Sequence, residues 1–131
     1  MIFPFGWRDM GILCVNYSWH FFVDSYTSSM REIFKTSVFD AWMLNLRDRH
    51  AAARIQARID RLAVGNPGDV KPVGSGISEM RIDYGPGYRV YFMKRGAVIV
   101  VLLCGGDKTT QQADILEAKG LASTWTEDEN D

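Results

Sequence analysis

Four polar residues alternate with apolar ones in two short runs joined by Gly85-Pro86-Gly87, within the stretch Glu79–Phe92. Arg81 and Asp83 stand in the first run, Arg89 and Tyr91 in the second. Such alternation predicts a β-hairpin with one apolar and one polar side. With a three-residue loop, Tyr84 faces Tyr88, Ile82 faces Val90 and Met80 faces Phe92. Asp83 then lies opposite Arg89, and Arg81 opposite Tyr91. Gly85 and Gly87 provide the positive φ that a tight loop needs. The polar side suits a phosphate group, because a guanidinium fork meets two of its oxygens at once. Lys108, in the polar run that follows a third strand, enters from the neighbouring strand end. It could bind the same phosphate or, with a depressed pKa, donate a proton. Lys71 precedes the hairpin and could hold a nucleic-acid backbone. Tyr91 could stack on a base or bond to phosphate. Asp83 or Glu79 is a candidate base, with Asp83 alternatively serving only to orient Arg89. The plainer reading is a surface ladder of ion pairs, contributing about 0–1 kcal/mol.

The elements that must position these residues are readable in order. Glu32–Lys35 reads as a first strand. Thr36 or Ser37 can cap a helix carrying Phe39, Trp42 and Leu46 on one stripe. After a break at 48–50, a second helix has Ile55, Ile59 and Leu62 inward and Arg54, Arg58 and Arg61 outward. Gly65 stops it, and Asn66-Pro67-Gly68-Asp69 is a turn. Val70–Gly76 reads as a loop approaching the sheet. The run Ala97–Cys104 is almost wholly apolar, so it should lie inside the sheet with both faces covered. Thr109 or Thr110 then caps a last helix with Ile115 and Leu116 that ends at Gly120. The predicted fold is α+β: an N-terminal helical hairpin packed on a small antiparallel β-sheet, with a short C-terminal helix.

Composition bounds the possibilities. A chain of 131 residues, 47% apolar and 24% charged, is one ordinary globular domain. The net charge of -1 hides an uneven distribution. Setting aside Arg8, Asp9, Asp24 and the four acids from Glu127 onward leaves 14 bases and 10 acids between Met30 and Thr126, a net of +4. That core is compatible with a polyanionic partner. Cys14 and Cys104 make neither a disulfide framework nor a metal spacing, and His20 and His50 are isolated. No metal site and no cofactor are expected. The apolar run Gly11–Val15 is too short to span a bilayer, and the start lacks the pattern of a signal peptide. A cytoplasmic protein without membrane contact is expected. Residues 1–29, aromatic and without period, read as an ordered extension, a disordered arm, or the product of a translation start upstream of one at Met30. Residues 30–122 are the expected domain, and 123–131 an acidic disordered tail.

The runs EMRIDYGPGYRVYF and LLCGGDKTTQQADI, with KPVGSG just before them, resemble the RelE/ParE toxin superfamily, above all its HigB-like branch of addiction-module killer proteins. The resemblance extends over roughly Met30 to Gly120. It implies a RelE-like fold and a ribosome-dependent endoribonuclease that cuts mRNA. It also implies a cognate antitoxin, typically a small helix-turn-helix DNA-binding protein. Cleavage by 2′-hydroxyl attack requires removal of the 2′ proton, stabilisation of the phosphorane and protonation of the leaving 5′ oxygen. By resemblance, Arg89 matches an arginine recurring in the family's second hairpin strand, with Arg81 and Lys108 completing the catalytic set. Lys71, Tyr91 and Asp83 would contact RNA. Arg89 should point away from the apolar side, so its truncation is expected to spare the fold. Two other readings remain open: a non-catalytic poison of DNA gyrase, as in the ParE branch, and a degenerate member that only binds an antitoxin.

Overall fold

A computed structural model describes residues 30–127. The readings for residues 1–29 and for the tail beyond Glu127 lie outside these residues. The described elements are β1 (Glu32–Lys35), α1 (Ser37–Asn45), α2 (Arg49–Ala63), β2 (Val70–Gly74), β3 (Ile77–Ile82), β4 (Tyr88–Arg95), β5 (Ile99–Gly106), a 3-10 turn (Lys108–Thr110) and α3 (Gln111–Thr124). The strands form one five-stranded sheet in the order β1-β5-β4-β3-β2. Adjacent pairs are antiparallel except β1 with β5, which run parallel, Glu32 beside Ile99 and Lys35 beside Leu102.

Both faces of the sheet are covered, and the alternation along the strands explains how. Met80, Ile82, Val90, Phe92, Val100 and Leu102 point to one face, where Phe39 of α1 and Ile55, Ile59 and Leu62 of α2 pack on them. Ile77, Tyr91, Met93, Val101, Leu103 and Cys104 point to the other, beneath Ala118 of α3 and Trp125. A bulge in β5 helps: Tyr91 pairs with Cys104 but Phe92 with Leu102, so Leu103 is an extra residue and joins Cys104 on the second face. Cys104 is buried there, and its thiol is pushed up to about 12, first by burial and then by Glu117 and Asp114.

The predicted architecture needs correction in two respects. The sheet is mixed, not antiparallel, because the first strand precedes the helices and lies parallel to the last. Alternation within a strand reports its faces but not its partner, so the sequence pattern left this pairing invisible. Nor is there an N-terminal helical hairpin. After β1, α1 lies along β5 and α2 along β3, each using its stripe against the sheet. The connection explains why: Leu46 and Asp48 both adopt extended backbone, so the chain is re-aimed between the helices. The last helix is also longer than expected. It passes Gly120, whose position is open, and runs to Thr124 before the buried Trp125. Finally, Val70–Gly74 is an edge strand, not a loop.

Thr36 joins β1 to α1 and ties both to β5. Its Oγ1 accepts the N–H of Phe39 at 3.1 Å, capping the helix, and donates to the carbonyl of Leu103 at 2.6 Å. The residue is buried, so both bonds are shielded from water. Thr36→Ala is expected to destabilise the fold by about 1–2 kcal/mol, through loss of the cap and an unsatisfied Leu103 carbonyl. Thr36→Ser, which keeps the hydroxyl, should recover most of that. Urea unfolding of the three proteins measures the difference, and an unchanged midpoint for Thr36→Ala would remove Thr36 from this role.

Candidate functional site

The β3–β4 hairpin places the candidate residues, in a register two residues from the expected one. Ile82 pairs with Tyr88, Arg81 with Arg89, Met80 with Val90 and Glu79 with Tyr91. A shift of two preserves the faces but exchanges the partners. Residues 83–87 form the connection, longer than a three-residue loop: the Tyr84 N–H donates to the Ile82 carbonyl at 2.9 Å and the Gly87 N–H to the Tyr84 carbonyl at 3.1 Å. Gly85 and Gly87 have φ of 59° and 83°. Asp83 therefore falls outside the ladder and forms no ion pair with Arg89.

The carboxylate that does meet Arg89 is Glu79, fully buried on β3. Its Oε1 accepts from Arg89 Nη1 at 3.2 Å, and its Oε2 accepts from the Tyr91 hydroxyl at 3.0 Å and from Gln111 Nε2 at 2.7 Å. One carboxylate thus connects β3, β4 and the first turn of α3. Burial, followed by the neighbouring Glu79, pushes the Tyr91 hydroxyl well above the usual phenol range. Tyr91 is completely buried and offers no ring face for a base to stack on. The side of the hairpin expected to be solvated is in part covered by α3, because tyrosine, arginine and glutamate satisfy one another there.

Arg81 lies across from Arg89, and two like charges directly opposite would repel. The conflict is relieved by giving each its own carboxylate: Arg81 Nη2 meets Asp69 Oδ1 at 3.1 Å, at the surface. Asp69 is a site residue that the sequence pattern did not reveal; its place directly after the Asn-Pro-Gly turn was the available cue. Arg58 supports this corner, donating from Nη1 to the Arg81 carbonyl at 2.6 Å and from Nη2 to the Pro67 carbonyl at 2.9 Å. It is thus a structural cation, its pKa lowered chiefly by burial. Arg54 sits over the Tyr84 ring, 4.7 Å from its centroid.

Arg81, Asp83, Arg89 and Lys108, with Asp69 and the Gly85-Pro86-Gly87 turn, line one open groove of about 290 Å³. Lys108 reaches it because Asp107 caps the 3-10 turn, accepting the Thr109 N–H at 2.9 Å. The Thr109 side chain and backbone hold the Asp107 carboxyl below its usual range. Gly106 is required just before: a Cβ there would collide with the Asp114 carboxylate that packs over it. Asp114 in turn accepts from the Thr110 hydroxyl, and burial raises its pKa. Lys71 stands across from Glu79 on edge strand β2, exposed and outside the groove. Lys108 and Asp83 make no hydrogen bond or ion pair among the described residues, and both arginines keep a buried Nε–H without an acceptor. Chemically, the arrangement can hold an anion between a fixed guanidinium, a second guanidinium and an exposed ammonium, with the Asp83 carboxylate nearby. No group of His, Cys, Asp and Glu suited to a metal occurs among the described residues, and none of their helices is long and apolar enough to cross a membrane.

Burial changes what Arg89 is worth to the fold. It is only 9% exposed, so truncation does not spare the structure as the alternation suggested. Removing one member of a buried ion pair strands the other charge, at a cost of about 3–5 kcal/mol. Arg89→Ala and Glu79→Ala should each unfold at markedly lower urea, and the double variant should lose less than the sum of the two. Additive losses in that cycle would mean the pair does not interact.

No family model matches the chain. It is 54% identical over 91 residues to a protein of Haemophilus influenzae strain Rd described as uncharacterized, an alignment that covers 70% of this chain and 92% of that protein. Identity at that level over nearly the whole relative means the same fold and the same core. The chain therefore belongs to one protein family with this Haemophilus influenzae protein.

Proposed function

We propose that the chain is the toxin of a type II toxin–antitoxin pair and cleaves messenger RNA on the ribosome. The observation that carries this reading is the convergence of Arg81, Arg89 and Lys108 on one open groove beside the hairpin loop. The resemblance of the hairpin and of the Gly105-Gly106-Asp107-Lys108 run to the HigB-like toxins supports it. In this reading the 2′ oxygen attacks the adjacent phosphorus, forming a 2′,3′-cyclic phosphate and expelling the 5′ oxygen. Arg89, held in place by Glu79, and Arg81 face the non-bridging oxygens, where charge accumulates. Lys108 gives its proton to the leaving oxygen. Asp83, the carboxylate of the groove without a cationic partner, takes the 2′ proton. The ribosome presents the message in a reactive geometry, so the protein need supply only charge and position. The partner implied is a small DNA-binding antitoxin that covers the groove.

A second reading has one observation in its favour. Both groove arginines are already engaged by carboxylates, and a gyrase poison that acts by binding needs no converged catalytic set.

The variants that separate these readings leave the fold alone. Lys108 is exposed and makes no bond among the described residues, and Arg81 would lose one surface pair, worth about 0–1 kcal/mol. Lys108→Ala and Arg81→Ala are each expected to slow cleavage of ribosome-bound message on the order of a hundredfold, the usual loss on removing one transition-state donor. Mapping the message ends after incubation with purified protein and programmed ribosomes gives the rates. Equal rates for wild type and Lys108→Ala would move the site elsewhere. An intact message, with gyrase–DNA cleavage complexes accumulating instead, would replace the first reading by the second.

A further inference from the structure

A second groove, of about 320 Å³, opens on the same face of the sheet at the opposite end of β4. The tight β2–β3 turn, the end of β4 and the C-terminal half of α3 form it, contributing Ser75, Gly76, Lys94, Arg95, Lys119 and Ser123. Of its described lining residues, Arg95 and Lys119 bring their charges to this face and none is an acid, whereas two aspartates line the hairpin groove. Lys94, paired with Val100, contributes backbone and points to the other face. The more positive of the two grooves is therefore the one that no sequence motif singles out.

Its cations are of two kinds. Arg95 is fixed, donating from Nη2 to the Ala122 carbonyl at 3.3 Å with its guanidinium 5.7 Å from the Trp125 ring centroid. Lys119 makes no hydrogen bond or ion pair among the described residues. Lys119 extends from α3 toward β2, its Nζ 3.5 Å from where a Gly74 Cβ would stand. The turn itself is unusual. Gly74, Ser75 and Gly76 all have positive φ, and Ser75, at 58°, is the described non-glycine residue in that region. Turns with two positive φ values favour Asn, Asp or Gly. A serine held there at backbone strain places a hydroxyl beside the cations, and strained positions of this kind cluster at ligand sites. Next to it, a Cβ at Gly76 would touch nothing within 4 Å, so a ligand can approach the backbone.

We infer that this second groove is an anion site for a phosphate group of the RNA backbone, an inference that rests on the functional reading above. From Arg89 to Arg95 the strand advances by about 20 Å, and both ends lie beside α3. Lys71 stands exposed on the edge strand between them, on the same face as Glu79. A single strand entering at the hairpin loop would thus follow the flank of α3, pass Lys71, and place a later phosphate beside Lys119, Arg95 and Ser75. Interactions of this type position a backbone without reading its sequence.

The test follows backbone amide shifts of the full chain during titration with a short single-stranded oligoribonucleotide and, separately, with inorganic phosphate. The oligonucleotide should move the amides of Ser75, Gly76 and Ser123 as well as those of Gly85 and Gly87. The variant Lys119→Gln, with the remaining spectrum unchanged, should lose the first set. It should also flatten the dependence of log affinity on log salt by about 0.7, the amount for one phosphate no longer neutralised on a single strand. Shifts at Gly85 and Gly87 alone would overturn this inference and leave the functional reading standing. Shifts at Ser75, Gly76 and Ser123 alone would support the site and count against cleavage in the hairpin groove. Inorganic phosphate saturating those amides as readily as the oligonucleotide would overturn the assignment to an RNA backbone, and silence from both probes would overturn the site itself.

Discussion

A carboxylate taken wholly out of water must be met by donors, and Glu79 is that carboxylate here. Desolvation of an unpaired charge costs far more than a domain's net stability can offset. Arg89, Tyr91 and Gln111 therefore have to stand where they do, and their positions fix much else. Gln111 sets the start of α3, so Lys108 is carried to the hairpin loop just ahead of it. Tyr91 sets the depth of β4 beneath that helix. Arg89 is held with its remaining donors beside the groove, so little conformational entropy is left to lose at that residue when an anion arrives. The same interaction serves folding and positioning, and the two roles cannot be removed separately by truncating Arg89.

Four of the five strands, the first two helix starts and the hairpin were legible because local chemistry determines them; β2 was read as a loop, and Thr110 precedes the last helix without a side-chain cap. Thr36 and Asp48 are both side-chain caps, and each lies at or beside the position where residue type predicts a helix to begin. The hairpin faces followed from a period of two. Partner choice was not legible, because it depends on which elements meet. No pattern in Glu32–Lys35 says that it runs parallel to β5, and no pattern in 46–48 says that two neighbouring helices will lie over different strands. The register slipped by two for a related reason. The turn bonds within 82–87 lengthen the connection, and alternation is blind to any even shift.

Part of the site was hidden by a general bias in reading charge. Arginine, glutamate and tyrosine on alternate positions look like a wet face, and Glu79 was read as a candidate base, not as the buried partner of Arg89. Their mutual satisfaction allows α3 to cover them. The converse holds at the far end of β4. Arg95 and Lys119 come from two separate elements, and the turn that joins them to a groove is visible only once β2 is recognised as a strand. Sequence distance, not weak chemistry, concealed that groove.

Charge accounting then separates framework cations from available ones. Arg58 is spent on backbone carbonyls, Arg81 on Asp69, Arg89 on Glu79 and Arg95 on the α3 terminus and Trp125. Guanidinium groups suit such duty, since their planar forks satisfy several acceptors at a fixed geometry. The lysines at 71, 94, 108 and 119 make no bond among the described residues, and a point charge on a flexible stem can follow a ligand's phosphate as it moves. An anion arriving at either groove therefore meets an arginine already oriented and a lysine still free to adjust. At the hairpin groove it must also compete with Asp69 for Arg81, and at the second groove no carboxylate is among the described lining residues. In the proposed reading the second groove is thus the better permanent anchor, and the hairpin groove the better place for charge that would appear only during reaction.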